Sequence, residues 1–191
     1  TASYAAGRPS AHPPGRRFNY SSGTSNIVSH VLARAVDAAR PGADGDIRDF
    51  LRSRLFDPIG MTSADPRLDD AGTWVASSYV WATARDMARF GYLYLRDGAW
   101  DGTQLLPDGW VDHARRARSM DPDDGRLYGA HWWVTGDDLG TFWANGYEGQ
   151  SIVVCPNLDL VVVRLGKSLA DQAAALHQWR CSVVDAFRPT L

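Results

Sequence analysis

One tyrosine occupies a position from which its hydroxyl group could move a proton. Tyr20 follows a turn-forming segment, residues 12–19, that begins His-Pro-Pro-Gly, and it directly precedes a stretch with helical periodicity. Because proline restricts the backbone, this arrangement holds Tyr20 at a rigid corner before the helix. A phenol with a pKa of about 10 acts as a base near neutral pH only beside a cation that stabilises its anion. The alternative interpretation is a turn aromatic that covers the start of the helix.

A second segment of interest, residues 145–150 with the sequence Asn-Gly-Tyr-Glu-Gly-Gln, lies between two predicted strands. Together with Tyr20 and the strand pair that follows, it resembles the penicillin-recognising serine hydrolases, the family of class C β-lactamases, D-alanyl peptidases and related esterases and amidases. Residues 56–62 and 82–91 are similar to two structural segments of the same family. The resemblance extends over nearly the whole chain, which corresponds to the second half of a complete family member.

The resemblance implies roles for the first segment. Tyr20 corresponds to the family tyrosine that shuttles a proton beside the nucleophilic serine and a lysine. Ser22 stands where many members have asparagine, and its hydroxyl group can still donate one hydrogen bond toward a bound acyl side chain. The alternative for Ser22 is a helix cap.

The second segment corresponds to the strand that lines the family's cleft. In the resembled family, a glycine at the position of Gly149 lets the substrate backbone approach closely. The backbone N–H of Gln150 is then the candidate oxyanion donor. Such a donor stabilises the transition state by about 3 kcal/mol. Tyr147 and Glu148 are candidate substrate contacts, and Tyr147 stands where a cation is usual, which favours an esterase or amidase over a true β-lactamase. The alternative is a glycine-containing bend between two strands. Trp143 could line the cleft, although aromatic residues on strands more often pack in the core.

The nucleophile of this family is the serine of a Ser-x-x-Lys element. The chain has one lysine, Lys167, and Arg164 stands three residues before it. We therefore expect the nucleophile upstream, in an N-terminal portion of the same protein, and this chain alone to be inactive. The substrate would be a small ester, amide or peptide, with short-chain esters, D-amino-acid peptides and linear amides all compatible. The alternative is a non-catalytic member of the fold that binds a ligand or peptide.

Hydrophobic periodicity predicts an α+β fold, and the resemblance implies that this fold is of the β-lactamase/transpeptidase type and incomplete without its N-terminal part. Residues 1–125 form a helical lobe with the Tyr-Ser-Ser motif, and residues 126–191 form an antiparallel sheet with a C-terminal helix. Ser22 or Thr24 is the predicted cap of the first helix, and Thr83 that of the third. The helices are predicted at residues 24–40, 46–55, 84–96, 107–118 and 169–187, and the strands at 127–134, 141–145, 150–155 and 158–165. The predicted inward face of the last helix comprises Ala173, Leu176, Trp179, Val183 and Phe187. Because the resemblance implies that N-terminal strands are missing, the last strand is expected to be an open edge of the sheet.

Composition narrows the classes of partner. The net charge is −2 with no basic run, so no nucleic-acid surface is predicted. The longest apolar stretch, residues 158–165, contains Asp159 and Arg164, so no membrane span is predicted. The five histidines show no metal-ligand spacing, and we expect no metal or cofactor.

The two cysteines, Cys155 and Cys181, are predicted to be buried thiols. Localisation depends on residues upstream and stays open between the cytoplasm and the periplasm or exterior.

Overall fold

The computed structural model describes residues 1–39 and 46–189 and has an α+β architecture. Its α-helices are α1 (Ala2–Ala6), α2 (Ser22–Ala39), α3 (Ile47–Leu51), α4 (Ala84–Leu95), α5 (Trp110–Arg115) and α6 (Ala173–Asp185). Its strands are β1 (Asp65–Pro66), β2 (Val80–Trp81), β3 (Ala99–Trp100), β4 (Thr103–Gln104), β5 (Ser119–Met120), β6 (Leu127–Tyr128), β7 (Trp133–Val134), β8 (Phe142–Asn145), β9 (Ser151–Cys155) and β10 (Leu160–Arg164).

The chain divides into two compact units, Thr1–Asp86 and Met87–Leu191, with the division inside α4. The lobe boundary expected after residue 125 stays a prediction. Among the described residues, no helix combines the length and the apolar composition that crossing a bilayer requires.

The first unit is mainly helical. Helix α3 begins with a capping box, in which the Asp46 carboxylate accepts the backbone N–H of Arg48 and the Asp49 carboxylate accepts that of Asp46. The helix predicted to continue to residue 55 instead widens into a π-helical turn, Arg52–Phe56. The apolar side chains of α3 and of the segment after it form the buried interior of this unit: Ile47, Leu51, Phe56, Ile59, Met61 and Ala64.

The start of α4 is fixed by a polar cluster. Thr83 caps the helix as predicted, because its hydroxyl group accepts the backbone N–H of Asp86 at 3.3 Å. The Asp86 carboxylate is buried and accepts both the backbone N–H of Ser63, at 2.8 Å, and the Ser63 hydroxyl, at 2.6 Å. Asp86 therefore has a structural role at the start of α4.

The second unit contains one six-stranded antiparallel sheet with the order β10-β9-β8-β7-β6-β5. Every residue of β9 is buried, and its side chains alternate between two cores. Ile152 and Val154 join the core that the later turns of α4 and helix α5 cover. Val153 and Cys155 join the core that contains Val184 of α6.

Two predictions for this unit are wrong in detail. The strand predicted at residues 127–134 is the hairpin of β6 and β7, whose turn is closed by a hydrogen bond from the Gly129 N–H to the Trp132 carbonyl. A Cβ at Gly129 would overlap the carbonyl group of Ala114, so the tight turn needs glycine there. The predicted inward face of the last helix included Trp179 and Phe187, but both are exposed, and Val184 is the buried residue of α6.

Strand β10 forms one edge of the sheet. Within the described residues it pairs with β9 and with no second strand, which agrees with the expected open edge. Leu165 and Leu169, just beyond the strand, are exposed. Apolar side chains and unpaired backbone groups are therefore next to each other at this edge.

The polar cluster at the start of α4 leads to a stability prediction. We expect Asp86→Ala to lower the free energy of unfolding by about 2 kcal/mol, because it leaves the Ser63 N–H without its acceptor. Urea unfolding followed by circular dichroism measures this change. The control is Asp70→Ala, which removes an exposed carboxylate of the same unit and is expected to have an effect within about 0.5 kcal/mol. Equal stability of the two variants would contradict the assigned contacts.

Candidate active site

The first candidate segment lies at the N-terminus of α2. The turn before it contains Gly15 in the left-handed conformation, with φ of 74°, and a hydrogen bond from the Arg16 N–H to the Pro13 carbonyl. Tyr20 lies two residues before the helix and is 56% exposed. The turn therefore lies a few residues before Tyr20, and the Tyr20 side chain is accessible to a ligand.

The cap of α2 differs from the prediction. The Ser21 hydroxyl accepts the backbone N–H of Thr24 at 3.5 Å, and the Ser21 carbonyl accepts that of Ser25. Ser21 is thus the capping residue, in place of Ser22 or Thr24. Ser22 is the first residue of the helix and is exposed, so its hydroxyl group does not have the predicted capping role.

The second candidate segment connects β8 to β9, and we call residues 146–150 the β8–β9 loop. The Gly146 N–H donates to the Gln150 carbonyl at 2.8 Å and closes the loop. Inside it, Glu148 and Gly149 both have left-handed backbone conformations, with φ of 57° and 87°. Tyr147, at the tip, is 82% exposed. The loop thus places one large side chain in solvent and turns the backbone sharply beneath it.

Gly149 is required by this chain's own packing. A Cβ at this position would lie 2.7 Å from Cδ1 of Leu176 and 3.0 Å from Nη1 of Arg164. The left-handed conformation adds strain for any other residue. The sequence interpretation assigned this glycine to the approach of a substrate backbone, and the structure supplies two further reasons for it.

The two chemical groups of Gln150 face different partners. Its backbone N–H points to the Tyr147 carbonyl at 3.5 Å, which is longer than an ordinary hydrogen bond. Its side-chain amide binds the backbone of Gly166 in both directions, since Nε2 donates to the Gly166 carbonyl and Oε1 accepts the Gly166 N–H, each at 2.8 Å. The side chain is therefore a structural group, while the N–H is weakly engaged.

Trp143 packs inside the second unit. It is half-buried, contacts the core that contains Val184, and stacks on Trp133 with a ring separation of 6.4 Å. Such packing is the predicted alternative to cleft lining, and a direct contact with substrate stays a prediction.

The structure groups the predicted site residues by unit. Tyr20 and Ser22 lie together at the start of α2, in the first unit. Trp143 and the residues from Tyr147 to Gln150 form one continuous strand and loop, in the second unit. Across the described residues, no group of three or more histidine, cysteine or acidic side chains is arranged to hold a metal ion.

Arginines near the β8–β9 loop were not singled out from the sequence. Arg180 on α6 donates to Oδ1 of Asn145 at 3.3 Å. Burial lowers the pKa of its guanidinium, and the positive charges of Arg126 and Arg164 lower it further, although the neighbouring Cys181 acts in the opposite direction. Arg164, the last residue of β10, contacts the loop directly. The signal in the sequence was a charged residue at the end of an otherwise apolar strand.

The chain belongs to the β-lactamase family, since the family model described as "Beta-lactamase" matches residues 1–180. The 6-aminohexanoate-dimer hydrolase of Paenarthrobacter ureafaciens is 33% identical over 157 residues, which are 78% of this chain and 38% of that protein. A Bacillus anthracis structure assigned as a 6-aminohexanoate-dimer hydrolase is 25% identical, with a TM-score of 0.75 over 92% of this chain and 45% of that one.

A β-lactamase structure from Mycobacterium bovis has the same fold, with a TM-score of 0.69 and 21% identity over 92% of this chain and 66% of that one. These values agree with the predicted fold class and family. The chain spans less than half the length of the two relatives named as 6-aminohexanoate-dimer hydrolases.

The two cysteines differ in a way that the sequence did not predict. Cys155 is buried in β9, and burial raises the pKa of its thiol, with a partly compensating hydrogen bond from the Thr141 hydroxyl at 3.4 Å. Cys181 is exposed on α6, so the prediction of two buried thiols is wrong for this residue. Its sulfur lies 3.7 Å from Nε2 of His177.

This difference predicts selective labelling. A raised pKa means less thiolate at a given pH, and thiolate is the reactive form. At pH 8 we expect a thiol reagent to label Cys181 in the native protein and Cys155 only after unfolding. Mass spectrometry of labelled peptides measures this, with Cys181→Ser as the control that removes native-state labelling. Native Cys181→Ser protein that still takes up one label would contradict the burial of Cys155.

Proposed function

We propose that this chain is the C-terminal part of a serine hydrolase that cleaves a linear amide or an ester through an acyl-enzyme intermediate. The observation that carries the proposal is the family match over residues 1–180, because it includes both candidate segments. The relative with 33% identity is named for hydrolysis of a 6-aminohexanoate dimer. In such a dimer the two units are joined by a linear amide, which is the substrate class we favour.

The nucleophile in this proposal is the serine of a Ser-x-x-Lys element outside this chain. Within the 191 residues Lys167 is the one lysine, and the residue three places before it is Arg164. The serine oxygen attacks the carbonyl carbon, the amine or alcohol leaves with a proton, and water then hydrolyses the acyl-enzyme. The relatives are longer than this chain, which leaves room for such an element.

Tyr20 is the proposed proton shuttle. It would take the proton from the serine during attack and deliver it to the leaving group, with the upstream lysine as the cation that stabilises the phenolate. Two observations support this role. The side chain is more than half exposed, and it lies two residues before an 18-residue helix, whose N-terminus favours negative charge nearby.

The backbone N–H of Gln150 is the proposed oxyanion donor. Its 3.5 Å contact with the Tyr147 carbonyl is too long to engage it fully, so a stronger acceptor could compete for it. The Gln150 side chain meanwhile fixes the residue through Gly166. A donor that is held in place without a strong partner is suited to an oxygen on which charge develops during reaction.

Substrate contacts in this proposal come from Ser22, Tyr147, Glu148 and Gly149. The exposed Tyr147 offers an aromatic face where related enzymes carry a cation, which suits the methylene chain of a linear amide or ester better than the carboxylate of a β-lactam. Glu148 is partly exposed and pairs with Lys167 at 3.7 Å. This set favours an amidase or esterase over a β-lactamase.

The first test uses the 191-residue chain alone. We expect no turnover of p-nitrophenyl esters, chromogenic cephalosporins or a 6-aminohexanoate dimer, because the chain lacks the proposed nucleophile. Joining the chain to an upstream segment that carries Ser-x-x-Lys is expected to give hydrolysis of the ester or the dimer. Inactivity of the joined protein, with the serine present and the protein folded, would favour the alternative of a non-catalytic binding protein.

The second test concerns Tyr20 in the joined protein. Tyr20→Phe keeps the ring and removes the hydroxyl group, so we expect kcat/KM to fall by roughly 10²- to 10⁴-fold, the usual range for a general acid–base group, with little change in stability. Tyr79→Phe, which alters another exposed tyrosine of the same unit, is the matched control. An unchanged kcat/KM in Tyr20→Phe would leave Tyr20 as a turn aromatic.

A further inference from the structure

The β8–β9 loop is held to the segment that follows β10 by an unusual set of hydrogen bonds. Nη1 of Arg164 donates to the carbonyl oxygens of Gly149 and Gly166, each at 2.9 Å, and Nη2 donates to the Ser168 hydroxyl at 2.6 Å. The Gln150 side chain binds the Gly166 backbone in both directions. We call these contacts of Arg164 and Gln150 the loop clamp.

A backbone hydrogen bond also joins the segment after β10 to the β8–β9 loop. The Ser168 N–H donates to the Glu148 carbonyl at 3.0 Å, and the Ser168 side chain is itself buried. The residues that the clamp joins, Glu148 to Gln150 and Gly166 to Ser168, are therefore fixed at several points. Two of them, Glu148 and Gly149, have the left-handed backbone that the clamp stabilises.

The charge of Arg164 is directed at neutral acceptors. Within the described residues its guanidinium makes no ion pair with a carboxylate, and its hydrogen bonds go to two carbonyl groups and one hydroxyl. Hydrogen bonds from a charged donor are stronger than neutral ones, and the planar fork of arginine fixes their directions together. Lysine has one nitrogen at this position and cannot reproduce that fork.

The nearby ion pair cannot explain how the loop is held. Lys167 lies 3.7 Å from the Glu148 carboxylate, but its side chain is 75% exposed and that of Glu148 is 28% exposed. Ion pairs with a solvent-exposed partner contribute less than about 1 kcal/mol to the free energy of unfolding. The clamp therefore depends on the geometry of Arg164 and Gln150 more than on net charge beside the loop.

We propose that Arg164 is a positioning residue, which acts with the Gln150 side chain to hold the Gln150 N–H in the orientation that the reaction needs. This inference rests on the proposed function of that N–H. Arg164 does not touch the substrate in this proposal. Donors to a developing oxyanion must be held to within a fraction of an ångström, and a small displacement far from the reacting atoms lowers the rate.

The test compares Arg164→Lys, Gln150→Ala and the control Lys167→Met in the joined protein. Hydrogen exchange of peptides that cover residues 146–150 and 166–168 is measured first. For Arg164→Lys and Gln150→Ala we expect exchange there to be about tenfold faster, since each variant loses about two hydrogen bonds. Lys167→Met removes a positive charge beside the loop but leaves the clamp, and is expected to exchange at the parent rate.

Kinetics then separates positioning from simple stability. For Arg164→Lys, measured well below the unfolding temperature, we expect kcat to fall about tenfold or more while KM changes less than about threefold. Parent-like kcat together with faster exchange would overturn the positioning role, and parent-like exchange would overturn the clamp. If Arg164→Lys does not fold, Gln150→Ala decides by the same two measurements.

The two proposals fail in different ways. Absence of any ester or amide turnover in the parent protein would remove the proposed function, and hydrogen exchange alone would then decide whether the clamp exists. If the parent turns over substrate normally and kcat is unchanged in both clamp variants, the proposed function is supported. The positioning role of Arg164 and the Gln150 side chain is then contradicted.

Discussion

Burial of β9 on both faces is the constraint on which the second unit depends. All five of its residues are buried, with Ile152 and Val154 in one core and Val153 and Cys155 in the other. A strand enclosed in this way cannot shift by one residue, because such a shift would exchange the two sets of side chains. The β8–β9 loop ends where this strand begins, so the position of that end follows from the packing of the sheet. The two hydrophobic cores therefore fix one end of the loop, and the hydrogen bonds of Arg164 and of the Gln150 side chain hold the rest of it.

Much of this arrangement could be predicted from residue patterns. The apolar periodicity before and after Gly125 indicated helices followed by strands, and α2, α4, β8, β9 and β10 lie within two residues of their predicted positions. The hairpin at residues 127–134 was missed because its turn contains apolar residues that continue the pattern. The exposure of Trp179 could not be predicted, since periodicity shows that a helix has an apolar face but not what covers it.

The candidate site likewise has residues that the sequence could suggest and contacts that it could not. Tyr20, Ser22 and the β8–β9 loop were proposed from residue type and resemblance and stay predictions, whereas the family assignment is confirmed by the match over residues 1–180. The contacts of Arg164 and of the Gln150 side chain depend on where two segments separated by a hairpin meet, and spacing along the chain does not contain that information. The capping role of Ser21 follows from the start of α2 at Ser22, and residue types alone do not distinguish among the neighbouring serine and threonine residues.

The space around Gly149 has a consequence for altering substrate range. A side chain at this position would collide with Leu176 of α6 and with Arg164, whereas the ring of Tyr147, two residues earlier, extends into solvent. The loop therefore has one position, residue 147, where side chains can be exchanged without collision, and another, residue 149, that is restricted by α6 and by Arg164. A mutant library directed at this loop would find its viable diversity at residue 147, and variation at residue 149 would require compensating changes in α6.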